Sequence, residues 1–227
     1  MMVLSSCGTT GNITNGSEQQ PVSTTVSQVT NADIAKAKSV LGNNIKSQSG
    51  GSLNANDVNW QTAQKVETSY SEAVSVKTND GESTVVIGIA NDQAEQFVGR
   101  GTITRSANGN IVITSQNLTS GSKSVTVLAP DGKTVISEER TKANNGKIIA
   151  QATCAELRED VADARESAQD AAIEAGLAVA ACAAGCVAGG VAGTAVGVAA
   201  MGWTSYVAMR EDSKYRQLKR TYMANCG

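Results

Sequence analysis

Between Ala63 and Glu139, β-branched and apolar residues recur at every second position in the runs EAVSVKT, STVVIGIA, FVGRGTITRS, NIVITSQNLT, KSVTVLA and KTVISEE. A period of two is that of strands with one face buried. Turn formers separate the runs at NDG (79–81), ANGN (107–110), TSGS (119–122) and PDG (130–132), short enough to join antiparallel neighbours. The pattern predicts a small antiparallel meander of five or six strands over 63–142, with Trp60 and Phe97 as its large aromatic anchors.

From Cys154 the period changes to three and four. Leu157, Val161, Ala164, Ala168, Ala171 and Ala175 form a narrow stripe of mostly small side chains in a segment rich in Ala, Glu, Arg and Leu. Such a stripe suits close helix contact. A second helical stretch runs from about Val187 to Ala224, and Gly189-Gly190 breaks the two. Upstream, Thr30-Asn31-Ala32-Asp33 resembles a capping box before Ile34, Ala37, Val40 and Leu41 at helical spacing. The fold class is therefore α+β. Residues 1–30 read as a disordered leader or tether, 31–62 as a short helix and linker, 63–142 as the β-rich part, 143–153 as a connector and 154–227 as an antiparallel helical hairpin.

Charge and cysteine placement orient that hairpin. If its arms fold about the glycine pair, positions whose numbers add to about 380 face each other: Cys154 meets Cys226, Asp170 lies near Arg210, Glu166 near Lys214 and Asp160 near Arg220. Cys182 and Cys186 remain as a second candidate pair, at a spacing of four that needs a distorted helix or a turn. The chain has no histidine, which removes Ser/His/Asp and Cys/His catalysis and every histidine-containing metal site. The net charge of −2 and the lack of a basic stripe with aromatics set nucleic acid aside. No catalytic residue, small-molecule substrate, metal or cofactor is indicated.

Gly185, Gly189, Gly193 and Gly197 stand four apart inside a stretch without charge from Ala175 to Met209. Each glycine costs a soluble helix roughly 1 kcal/mol relative to alanine, so the series calls for close helix approach in return. Val187 to Met209 would extend about 34 Å at 1.5 Å per residue, enough for a hydrocarbon core, with Trp203 and Tyr206 placed as interfacial aromatics before Arg210. The expected partners are a lipid bilayer or a second copy of the chain through the glycine face.

Leu4-Ser5-Ser6-Cys7-Gly8 resembles a bacterial lipoprotein lipobox, which implies lipidation of Cys7; six residues precede that cysteine, so the segment reads as a truncated lipoprotein or secretory signal. Ala150-Gln151-Ala152 matches the A-x-A form of a processing site. A polar leader, a β-rich middle and a cysteine-bearing Ala/Gly hairpin over about 150–227 together resemble the layout of halocin-like bacteriocin precursors. That resemblance implies secretion, proteolytic release of a membrane-active antimicrobial peptide, an N-terminal part that keeps the peptide inert, and an immunity protein as a further partner. The alternative is an envelope lipoprotein whose glycine-zipper hairpin has a structural role. Both place the protein outside the cell or anchored to its envelope.

Overall fold

Each run of period two forms a strand that turns back on its predecessor. In the computed structural model, which describes residues 25–42, 53–68, 70–92, 95–141, 153–187 and 191–227, the strands are β1 (Thr25–Ser27), β2 (Val58–Glu67), β3 (Glu72–Thr78), β4 (Thr84–Gly88), β5 (Phe97–Arg105), β6 (Ile111–Asn117), β7 (Lys123–Leu128) and β8 (Val135–Thr141). They make one eight-stranded antiparallel sheet in sequence order, from β1 at one edge to β8 at the other. The sheet is thus larger than the five or six strands expected. Its extra members lie upstream: β1 pairs Val26 with Val66, in a stretch whose polar composition reads as tether, and β2 begins five residues before Ala63.

The turns use the residues the pattern singled out. Gly81 and Gly132 take φ of 74° and 68°, a region where a side chain would be strained. Ahead of each, an aspartate closes the turn: Asp80 Oδ1 accepts from the Glu82 amide at 2.9 Å, and Asp131 Oδ1 from the Lys133 amide at 2.9 Å. These bonds hold both carboxyl groups below their ordinary range, Asp80 chiefly through the Thr78 hydroxyl and Asp131 through the Lys133 and Thr134 amides.

Three helices complete the chain: α1 (Asn31–Gly42), α2 (Cys154–Val187) and α3 (Val191–Cys226). The capping box forms as read, with the Asp33 amide donating to Thr30 Oγ1 at 3.2 Å and the Thr30 amide to Asp33 Oδ2 at 3.0 Å. α1 lays Ala37, Val40 and Leu41 on one sheet face against Val58, Val74, Val76, Val85, Ile87 and Val98. α2 covers the other face, burying Ala164, Ala168, Ala172, Ile173 and Leu177 among Val66, Ala73, Val86, Phe97, Ile111, Ile113 and Leu128. Because helices cover both its faces, β4 is buried along its whole length, which accounts for the unbroken apolar run Val85-Val86-Ile87.

α2 and α3 form the antiparallel hairpin. Its open end is closed by a disulfide between Cys154 and Cys226, whose Cα atoms are 5.6 Å apart. The same register brings Ala171 and Ala175 of α2 into a buried cluster with Val207 and Ala208 of α3. The stripe of small residues lies along one face of α2: Ala171 and Ala175 pack with Val207 and Ala208 of α3, and Ala164 and Ala168 belong to the larger core, which α3 joins through Ala200 and Tyr215.

Candidate functional site at the hairpin and sheet interface

Shape decides where α2 lies on the sheet. A Cβ built on Gly99 of β5 would fall 2.6 Å from Ile173 Cγ2, and one built on Gly101 would fall 2.6 Å from Leu177 Cδ1. The two side chains therefore sit directly over backbone that has no side chain of its own. From the helix side, Gly176 repeats the device, since a Cβ there would lie 2.6 Å from Val86 Cγ1. The close approach lets Ser75 Oγ donate to the Gly176 carbonyl at 3.1 Å. Among the described residues, glycines on both α2 and β5 make close contacts between helix and sheet.

Next to this apolar seam is a buried polar group. Asp170 and Glu174 are four apart and so share a face of α2. Asp170 accepts from Asn117 Nδ2 at 2.9 Å and from Ser122 Oγ at 2.8 and 2.9 Å. Glu174, with no exposed surface, accepts from Ser124 Oγ at 2.5 Å. Arg140 of β8 places Nη2 3.8 Å from Glu174 Oε1, while its Nε donates to Glu138 at 2.8 Å. Burial pushes both the Asp170 and Glu174 carboxyl groups above their ordinary range; hydrogen bonds and Arg140 oppose the shift without cancelling it. Burial also works against the charge on Arg140, but Glu174 and Glu138 outweigh it and raise that group.

α3 reaches the sheet through aromatics. The Tyr70 ring lies 5.9 Å from that of Tyr215 in an edge arrangement and 6.1 Å from that of Phe97. Glu95, in the segment before β5, accepts from Lys219 Nζ at 3.0 Å and from Tyr215 Oη at 3.4 Å.

These contacts correct the Asp170–Arg210 pair expected between the hairpin arms. Asp170 turns to Asn117 and Ser122 of the sheet, and Arg210 pairs with its neighbour Glu211 at 2.6 Å. Arg216 bonds Asp212 one turn away on α3, and Lys219 reaches Glu95. Counting charge along two arms could not reveal that the sheet offers hydroxyl and amide donors to one of them. The available signal was the i, i+4 pair of acids entering an apolar run, opposite a strand end written NLTSGSKS.

Of the other residues singled out, Cys182 is buried on α2 and Gly185 lies near its end, while Gly193, Gly197, Trp203 and Tyr206 lie on α3. The side-chain surroundings of Gly185, Cys186, Gly193, Gly197, Trp203 and Tyr206, together with Gly189, Cys7 and Ala150-Gln151-Ala152, lie outside the described residues. Among the described residues no helix is long and apolar enough to cross a membrane, and no group of three or more acids and cysteines is arranged to hold a metal. No protein-family model, curated protein or solved structure matches the chain.

Proposed function

We propose that the chain is an exported precursor of a membrane-active, bacteriocin-like peptide, with the stapled hairpin 154–227 as the active part and the sheet as the part that keeps it inert. The observation that carries this reading is the division of the structure at 142–152. C-terminal to it, a disulfide joins the two ends of a helical hairpin to each other rather than to the sheet, so cleavage in the connector leaves the hairpin covalently whole. N-terminal to it, the sheet presents a surface fitted to α2 by Gly99, Gly101 and Ser75. A bilayer, self-association and an immunity protein are the partners of that reading.

The second reading, an envelope scaffold with the hairpin as a permanent part, is favoured by a different observation. α2 supplies half of the core beneath Val66, Val86, Phe97, Ile111 and Ile113, all fully buried. A sheet that lost its hairpin would expose that face.

One experiment separates the two. A protease site introduced between 143 and 153 allows the oxidised chain to be cut, the parts to be separated in denaturant, and each to be refolded against dye-loaded vesicles. The precursor reading expects leakage from the freed hairpin and none from the intact chain. If the freed hairpin neither binds nor permeabilises vesicles of any charge, the scaffold reading stands in its place.

A further inference from the structure

Glu174 is poorly provided for as an anion. It is fully buried, its Oε1 has Ser124 as a close donor, and its Oε2 has no hydrogen-bond partner among the described residues. The charged groups bearing on it are Arg140 and Glu138 of β8 and Asp170 of its own helix. Three carboxyl groups thus share one guanidinium, whose direct bond at 2.8 Å goes to Glu138 and not to Glu174. Among the described residues β6 and β7 offer uncharged groups here, Asn117 and Ser124, and α3 meets this stretch of α2 through Val207 and Ala208. A buried carboxylate with one oxygen unsatisfied is far costlier than a neutral carboxyl group. A proton on Glu174 removes the charge that Oε2 would otherwise hold without a donor.

We propose that Glu174 carries a proton while the hairpin lies on the sheet and gives it up to solvent when the two separate, so that the hairpin is held most tightly in acid and progressively less tightly as the pH rises. The sign follows from linkage. Separated from the sheet, Glu174 is an ordinary glutamate that ionises in the usual carboxylate range. Docked, it ionises higher, so the stabilisation is complete below the separated value and is lost as pH rises through the docked one. Between the two, one proton changes the docking equilibrium by up to about tenfold per pH unit. The chain has no histidine, the side chain that ordinarily titrates between about pH 5.5 and 7.5, so raised carboxyl groups have that window largely to themselves. This coupling belongs to the interface and holds whether the hairpin is cargo or scaffold.

The test uses the full oxidised chain. Urea unfolding of the parent, E174Q and D170N is compared between about pH 5.5 and 7.5. The amide of E174Q stands in for the protonated carboxyl group and cannot ionise. The parent should become easier to unfold as pH rises, by up to about tenfold in the equilibrium constant per unit for each such group; E174Q should lose the larger part of that dependence, and D170N, which removes a second raised carboxyl group, only the smaller part. Infrared spectroscopy of the folded parent at about pH 6 supplies a second readout that needs no variant: a protonated-carboxyl stretch is expected in a range where an ordinary glutamate is ionised. A parent flat over this range, an E174Q that retains the full dependence, a dependence abolished by D170N alone, or the lack of that stretch would each overturn the proposal.

Discussion

Replacing Gly99 with alanine sets a methyl group where Ile173 already lies. The new Cβ would stand 2.6 Å from Ile173 Cγ2, and closer to two other atoms of that side chain, where real contacts begin near about 3.4 Å. Ile173 cannot swing clear, because it is fully buried between α2 and the sheet. Either it leaves its rotamer or α2 lifts from β5, and overpacking of this kind costs about 1 to 3 kcal/mol. Shortening Ile173 to alanine instead opens a cavity, at about 2 to 5 kcal/mol. Together the two changes relieve each other, since the methyl added at 99 occupies space vacated at 173. The double variant should therefore lose less stability than the two single losses combined, by roughly 1 to 3 kcal/mol. Thermal unfolding followed by circular dichroism reads this directly, with each kcal/mol shifting the midpoint by about 2 to 4 °C in a chain of this size. Gly42→Ala is the control, because nothing among the described residues lies within 4 Å of a Cβ at that position. Strict additivity of Gly99→Ala and Ile173→Ala, or a Gly99→Ala protein as stable as the control, would refute the docking geometry of α2 on β5.

Two further outcomes follow from the ends of the helices. Thr30→Ala removes the hydroxyl that caps α1 and should cost about 1 kcal/mol. It should also let Asp33, held below its ordinary range first by the Thr30 hydroxyl and then by its amide, rise in an NMR titration; an unmoved Asp33 would contradict the cap. Cys154→Ser opens a loop closed over 72 residues and should lower stability by up to about 4 kcal/mol in urea unfolding. A non-reduced peptide map of the parent should show Cys154 joined to Cys226, and finding it joined to Cys182 or Cys186 would overturn the hairpin register.

Much of the architecture was legible in the order of residues because its signals are local. Alternation in EAVSVKT and NIVITSQ marks strands, the glycines after Asp80 and Asp131 mark reversals, and the Thr30–Asp33 box marks a helix start. Each depends on neighbours a few positions away, and each appears in the structure. The pairing of Cys154 with Cys226 was legible too, since an antiparallel hairpin has one free parameter and the break near Gly189-Gly190 sets it. The tertiary structure alone decided which surface each helix face meets. α2 turns Ile173 and Leu177 to the sheet and Ala171 and Ala175 to α3 because it lies between both. β1 joins the sheet although the stretch around it is mostly polar, because an edge strand of three residues is held by backbone bonds that carry no side-chain pattern. Asp170 leaves the arm opposite it for Asn117 and Ser122, and Glu174 lies buried beside Ser124, because donors that are distant in sequence become neighbours once β6, β7 and β8 stack in order. Period and turn chemistry lie along the chain, whereas burial arises only when elements meet, and burial turns two acids in an alanine-rich helix into the polar core of an interface.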